Sequence, residues 1–442
     1  MKKLLYVALL AIGVIILMTP PAMAQEEKPF TLHGELRFRG EYDANAQDFD
    51  KSNSNDSFGY WPYRVRIAAE GKFSKNTTAW IEFQNGGVFG SLGTTQRDGT
   101  DINETGNEAE LYQGNITLDH LWWKNFSARI GRQEMVEGTE LLIGDLDFYQ
   151  GNTFDGLTGN FKLKKGNIML FYTRVNERKA NAASNAGFQP PDQIAAVAGT
   201  RDVNFAGAYT NWDIKVGTLD VYLLNLADQA NLSDITTFGA RWSRDLVNKN
   251  GLFWNIEAAQ QSGDASGTDK AKGNVGEGWI GWNMKSGKNN HRFYARMGIA
   301  SGDNDATDTD QKQFVPLFGD FHNRLGHGDF FQLAGNSTGL GGGPVGGNLG
   351  IKGTGVGWNG MFGDRHEVGA EYWSFKTDKK DAATGFDKLG TEWDVWYGYN
   401  YSKNLAFGAA VAELSPDDAL TGGGGAANDK VDRVYANARL RF

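Results

Sequence analysis

Cysteine is absent from the 442 residues. That excludes disulfide staples, thiolate metal sites, haem attachment through C-x-x-C-H and a lipoprotein anchor. Proline is scarce, at 9 residues against 59 glycines. After residue 24 no run is apolar enough to cross a membrane as a helix, and the mean hydropathy is -0.47. No basic patch is present to hold phosphates, so nucleic acid is not expected as a partner. The six histidines, His33, His120, His291, His322, His327 and His366, are scattered. Only His322 and His327 are close, at a spacing no helical zinc motif uses. No Ser or Asp pairs with a histidine in a catalytic pattern, and no enzyme is expected.

What is present begins with a leader. Lys2 and Lys3 precede the apolar run 4–18 and an Ala22-Met23-Ala24 cleavage site, so 1–24 reads as a cleaved secretory signal. Its removal leaves 42 Lys+Arg against 53 Asp+Glu, a net charge of -11. The remaining 418 residues, 25–442, show no linker or change of composition and read as one domain. Within it, tight turns such as Ser74-Lys75-Asn76, Ser286-Gly287-Lys288-Asn289 and Ser402-Lys403-Asn404 alternate with long polar connections such as 43–60, 301–347 and 414–430. Between them lie about eighteen short amphipathic segments. Short turns at one end, long loops at the other and strands alternating apolar-out and polar-in are the pattern of a bacterial outer-membrane barrel. The expected fold is all-β: a single transmembrane antiparallel up-and-down β-barrel of about 18 strands, with short periplasmic turns and long extracellular loops. Localisation is then the outer membrane of a Gram-negative cell, among lipid and lipopolysaccharide. Strands begin almost at once after Ala24, leaving no room for the plug domain of a TonB-dependent transporter.

The alternation also assigns faces. In the first segment Leu32, Gly34, Leu36 and Phe38 share one face, and His33, Glu35, Arg37, Arg39 and Glu41 share the other. In the last, Val434, Ala436, Ala438, Leu440 and Phe442 alternate with Arg433, Tyr435, Asn437, Arg439 and Arg441. Arginine toward lipid costs about 2–4 kcal/mol at the bilayer midplane, so these faces must line the lumen. The same parity places Arg64, Arg66, Arg129, Arg241, Arg292 and Arg296 inward, with Glu257, Glu367, Glu371, Glu392 and Asp394. A sheet in hydrocarbon must close, which makes the first and last strands neighbours. Arg37, Arg39, Arg64, Arg66 and Arg433 are then expected at similar height as a basic patch across that seam, opposite a more acidic wall near 367–394.

These residues resemble a known family. Gly131-Arg132-Gln133, Gly138, Leu142-Ile143-Gly144 and Thr153-Phe154-Asp155-Gly156 are similar to the GRQ…G…LIG…FDG stretch of the alginate-export (AlgE-like) outer-membrane porins. Ala300-Ser301-Gly302-Asp303, Phe314, Pro316-Leu317-Phe318, Gly326 and Asp329 form a second such stretch. The opening Gly34-Glu35-Leu36-Arg37-Phe38-Arg39 and closing Arg439-Leu440-Arg441-Phe442 agree. The resemblance implies an eighteen-stranded monomer whose arginine-rich lumen passes a polyuronate, and a terminal Phe442 read by the outer-membrane assembly machinery.

No cofactor is expected. Asp303, Asp305, Asp308 and Asp310 cluster in a long loop and offer the oxygen ligands of Ca²⁺, though without the Gly and closing Glu of an EF-hand. Gly339–Gly347 lacks the Lys and Ser/Thr of a phosphate loop. The connection 301–347 is the longest and is expected to fold inward and gate the pore. The leading reading is a passive channel for anionic saccharides, polyuronates or small anions, with the inward arginines and Glu367, Glu371, Glu392 and Asp394 lining it. A general nutrient-uptake porin of little specificity and a loop-plugged scaffold barrel are the alternatives.

Overall fold

The computed structural model describes residues 30–46, 48–52, 56–89, 109–146, 151–176, 202–229, 231–246, 249–305, 307–333, 348–423 and 428–442. The leader 1–24 lies outside them. Eighteen long strands are present among these residues: β1 Thr31–Ala44, β2 Pro62–Ser74, β3 Thr77–Val88, β4 Glu110–Asp119, β5 Phe126–Gln133, β6 Phe154–Leu163, β7 Gly166–Asn176, β8 Val203–Ile214 and β9 Gly217–Asp228. They continue with β10 Ser233–Arg244, β11 Gly251–Asp264, β12 Asn274–Ser286, β13 Asn289–Ala300, β14 Ile351–Phe362, β15 His366–Lys376, β16 Lys388–Asn400, β17 Leu405–Pro416 and β18 Val431–Arg441. Each pairs antiparallel with its sequence neighbours. β1 closes the ring on β18, in register from Glu35 opposite Arg441 to Ala44 opposite Asp432. Closure leaves no row of unpaired backbone groups facing lipid, the condition for a sheet to cross a bilayer. The all-β up-and-down barrel of eighteen strands expected from the turns is the fold.

The C-terminal residue seals the seam. Phe442 N–H donates to the Gly34 carbonyl at 3.0 Å, and Gly34 N–H donates back at 2.8 Å. A Cβ at residue 34 would collide with the Phe442 ring, so glycine is what admits that ring against the strand.

Burial follows the alternation. Leu32, Ile67, Ile81, Phe83, Leu223, Phe238, Ile280, Met297 and Val356 stand exposed on the outer face. Near the short turns aromatic rings gather: Phe126 meets Phe161 at 4.5 Å between centroids and stacks on Trp122 at 6.0 Å, and His366 stacks on Tyr399 at 5.1 Å. Such rings, apolar in body with a polar edge, settle at a membrane–water boundary.

The lumen is filled in its long-loop half. The described residues of the third loop, 134–146 and 151–153, and of the seventh, 301–305, 307–333 and 348–350, turn inward rather than out. Leu141, Leu142 and Ile143 from one and Phe314, Phe321, Phe330 and Phe331 from the other are buried with Phe154, Phe205, Trp373 and Phe375 of the wall. The two loops pair directly: Ile143 and Phe318 form a parallel bridge, Gly144 N–H donates to the Phe318 carbonyl at 2.7 Å, and Asp320 N–H donates to the Glu140 carbonyl at 2.9 Å. The segment 334–347, with Gly339–Gly347, lies outside the described residues.

Candidate functional site

The seam carries the densest positive charge. Register sets Arg37 opposite Arg64 on one side and opposite Arg439 on the other, so three guanidiniums lie in one row across β2, β1 and β18. Glu35 is the carboxylate among them: it accepts from Arg64 Nε at 3.0 Å, Arg439 Nε at 2.6 Å and Arg441 Nε at 3.0 Å. Arg433 does not share that height. It pairs with Asp43, six residues above the Arg37 row on β1, because β18 runs antiparallel and places Arg439, not Arg433, beside Arg37. There Arg433 holds Asp43 at 2.6 Å and Glu41 at 3.3 Å. Arg39 binds Glu41 at 2.6 Å with its guanidinium 3.6 Å above the Tyr435 ring. Arg66 donates to Gln84 at 2.7 Å and Glu134 at 3.3 Å, and its guanidinium lies 3.9 Å from the Tyr112 ring.

The remaining inward arginines also meet acceptors. Arg241 pairs with Asp220 at 2.7 Å, Arg292 with Asp245 at 2.9 Å and Arg296 with Glu371 at 3.2 Å. Arg129 donates to the Glu134 carbonyl at 3.3 Å. Glu371 further accepts from Tyr294 at 2.7 Å and Trp373 at 2.8 Å, while Glu367 accepts from Asn359 and, at 3.3 Å, from Trp396. Glu392 and Asp394 serve another purpose. Gly328 N–H donates to both, at 3.1 and 3.0 Å, and His327 N–H to Asp394 at 3.1 Å.

The seventh loop therefore bridges the lumen. On the far wall its tip is held by Glu392 and Asp394 on β16, and by Arg433 of β18, which donates to the Gly328 carbonyl at 2.7 Å. On the near wall Arg324 donates to Glu277 of β12 at 2.6 Å and also to the carbonyls of Asp320 and Thr139. Thr139 Oγ1, in the third loop, lies 2.8 Å from Glu257 and 2.7 Å from Glu277, with its one proton shared between the two carboxylates. His327 stacks at 3.9 Å on Trp396. Where the loops meet, Glu140, Asp145 and Asp320 bring carboxylate oxygens within 4.8 Å of one another. Burial, then the neighbouring Asp145 charge, pushes the Glu140 carboxyl up to about 7, and burial likewise raises Asp320.

A model of the alginate export family matches residues 28–335. The chain belongs to the alginate export family. No protein of curated function matches it. Solved barrels of Pseudomonas aeruginosa share its fold: OpdK with vanillate (13% identity, 93% of this chain and 98% of that one, TM-score 0.55), OpdL (10%, 93% and 98%, 0.58) and OpdF in complex with glucuronate (13%, 93% and 98%, 0.54). As an alginate export barrel the protein is a channel in the outer membrane of a Gram-negative cell, not an enzyme.

The acidic loop of this family member is tied up internally. Asp303 accepts the backbone N–H of Asp305 and of Lys312, Asp305 caps Thr307, Asp308 meets the Lys312 ammonium and Asp310 that of Lys272. These four do not gather oxygens as Glu140, Asp145 and Asp320 do. Sequence reasoning passed over Asp220, whose inward parity on β9 was available, and over Arg324, Thr139 and Glu134. Those three sit in loops, where no period exists to show a direction.

Proposed function

We propose that the lumen is a passive path for carboxylate-bearing saccharides and small organic anions, with the in-folded third and seventh loops as its constriction. The observation that supports this is the row Arg64, Arg37, Arg439, with Arg66 and Arg441 close by and Glu35 as the shared carboxylate. Guanidinium keeps its charge at any working pH and grips carboxylates through two parallel N–H groups. A solute carboxylate therefore exchanges with Glu35 for the accessible Arg439 and Arg441, while the buried Arg64 stays on Glu35. Spaced exchangeable contacts let a ligand leave as readily as it enters. The ion pairs along β9–β15 hold their own guanidiniums, so the excess positive charge lies at the seam. Direction follows the solute gradient. The barrel works as a monomer, with Phe442 as the handle for the assembly machinery.

The test is the reversal potential of the purified barrel in a planar bilayer across a KCl gradient, with and without an oligouronate. Anion selectivity with concentration-dependent block is expected, both reduced in Arg37→Ala with Arg439→Ala. Cation selectivity without block would overturn the reading in favour of a general porin. Absence of conductance would leave a plugged scaffold.

A further inference from the structure

Below the loops, on the short-turn side, lies a cavity of about 510 Å³, inside the range of about 300–1,000 Å³ that small-molecule sites occupy. Thr139 and His327 of the inward loops roof it. Its wall comes from the strand ends nearest the short turns, among them Arg244, Phe253, Arg292 and Trp396. A solute that has passed the constriction reaches it next.

Its lining carries both charges. Four guanidiniums, Arg241, Arg244, Arg292 and Arg296, and three carboxylates, Asp245, Glu367 and Glu371, face the space. Arg292 pairs with Asp245, Arg296 with Glu371, and Arg241 with the buried Asp220. Between them lie the rings of Phe253, Trp279, Tyr294 and Trp396. Asn255 adds a donor: it is 2% exposed, its carbonyl oxygen accepts from Arg241 at 3.2 Å, and its Nδ2 has no hydrogen-bond partner. A buried donor left unmatched costs about 1–3 kcal/mol, which a bound acceptor recovers.

We propose that this cavity is a saccharide subsite that takes one or two pyranose units, recognised by ring faces and hydroxyls rather than by net charge. Hydroxyl groups both donate and accept, and the alternating guanidiniums and carboxylates answer both needs. The C–H face of a pyranose lies against an aromatic ring, which burial rewards. Asn255 Nδ2 supplies a donor to a hydroxyl or ring oxygen. The inference rests on the lumen being a solute path, and it separates the seam, selective for charge, from a second site selective for shape.

Calorimetric titration of the barrel, purified in a detergent without a sugar headgroup, tests it with cellobiose, mannitol and glucuronate. Expected is saturable cellobiose binding, unchanged between 0.1 and 1 M KCl and about tenfold weaker in Trp279→Ala. Trp279→Phe keeps a ring and retains binding; Asn255→Ala weakens it. Mannitol has the hydroxyls without the ring face and binds at least about tenfold less. Mannitol binding as well as cellobiose, or glucuronate alone binding with affinity lost to salt, would overturn the subsite. So would full affinity in Trp279→Ala. Because the readout is heat, its failure is distinguishable from loss of the channel reading, which bilayer current reports separately.

Discussion

Arg324 is the pin of the constriction, and removing it should open the pore. Its side chain is buried and joins three bodies: the wall through Glu277 at 2.6 Å, the third loop through the Thr139 carbonyl and its own loop through the Asp320 carbonyl. Breaking one member of a buried pair costs about 3–5 kcal/mol, because the other charge stays desolvated. Here Glu277 keeps the Thr139 hydroxyl at 2.7 Å, and the space opened at residue 324 adjoins a wet lumen, so the lower end, about 3 kcal/mol, applies. That shifts the closed-to-open ratio of the loop pair by about two orders of magnitude. Arg324→Ala should therefore show larger single-channel conductance or prolonged open dwell times, with barrel melting little changed, since strand pairing is untouched. Adding Glu277→Gln removes the stranded charge and should restore part of the closure, a coupling that a double-mutant cycle measures. Wild-type conductance and gating in Arg324→Ala would refute the reasoning.

Protonation should act on the same junction. The Glu140 carboxyl sits near 7 in the folded loops against an ordinary 4.5, so the junction holds its proton most firmly at low pH and loses that stabilisation as pH rises through about 7. His322, raised by Asp329 against the opposing pull of burial, works in the same direction. Closed dwell times should shorten between pH 6 and 8, and Glu140→Gln should flatten part of that slope; pH-independent gating would exclude it. At the loop tip, Gly326 has φ +101° and a Cβ there would strike the Glu392 carboxylate. Gly326→Ala should cost about 1–3 kcal/mol locally and displace the tip from β16, read as faster proteolysis of the seventh loop. Deleting Phe442 removes two backbone hydrogen bonds and the ring against Gly34. The yield of folded, heat-modifiable barrel should fall severalfold; unchanged yield would show that seam and assembly do not need it.

The barrel was legible because its physics repeats. Lipid on one side and water on the other impose a period of two on every strand, and that period fixed the inward face of Arg37, Arg64, Arg296 and Glu371 without any contact being known. Height was less legible, since it depends on register. Arg433 and Arg439 have the same parity, and only the pairing of Arg37 with Arg439 decides which of them joins the Arg37 row. The constriction was legible only as a length. Nothing periodic marks Thr139, Arg324 or the Gly326–Gly328 tip, because in-folded loops are ordered by single tertiary contacts instead of a repeated environment. The acids show the same division. Glu392 and Asp394 carry the inward parity, yet their partners are not arginines of the wall but backbone N–H groups of a loop fifty residues or more away in sequence. An acidic wall counted from parity alone therefore overstates the charge open to a solute, since two of its carboxylates are spent on holding the tip of the seventh loop.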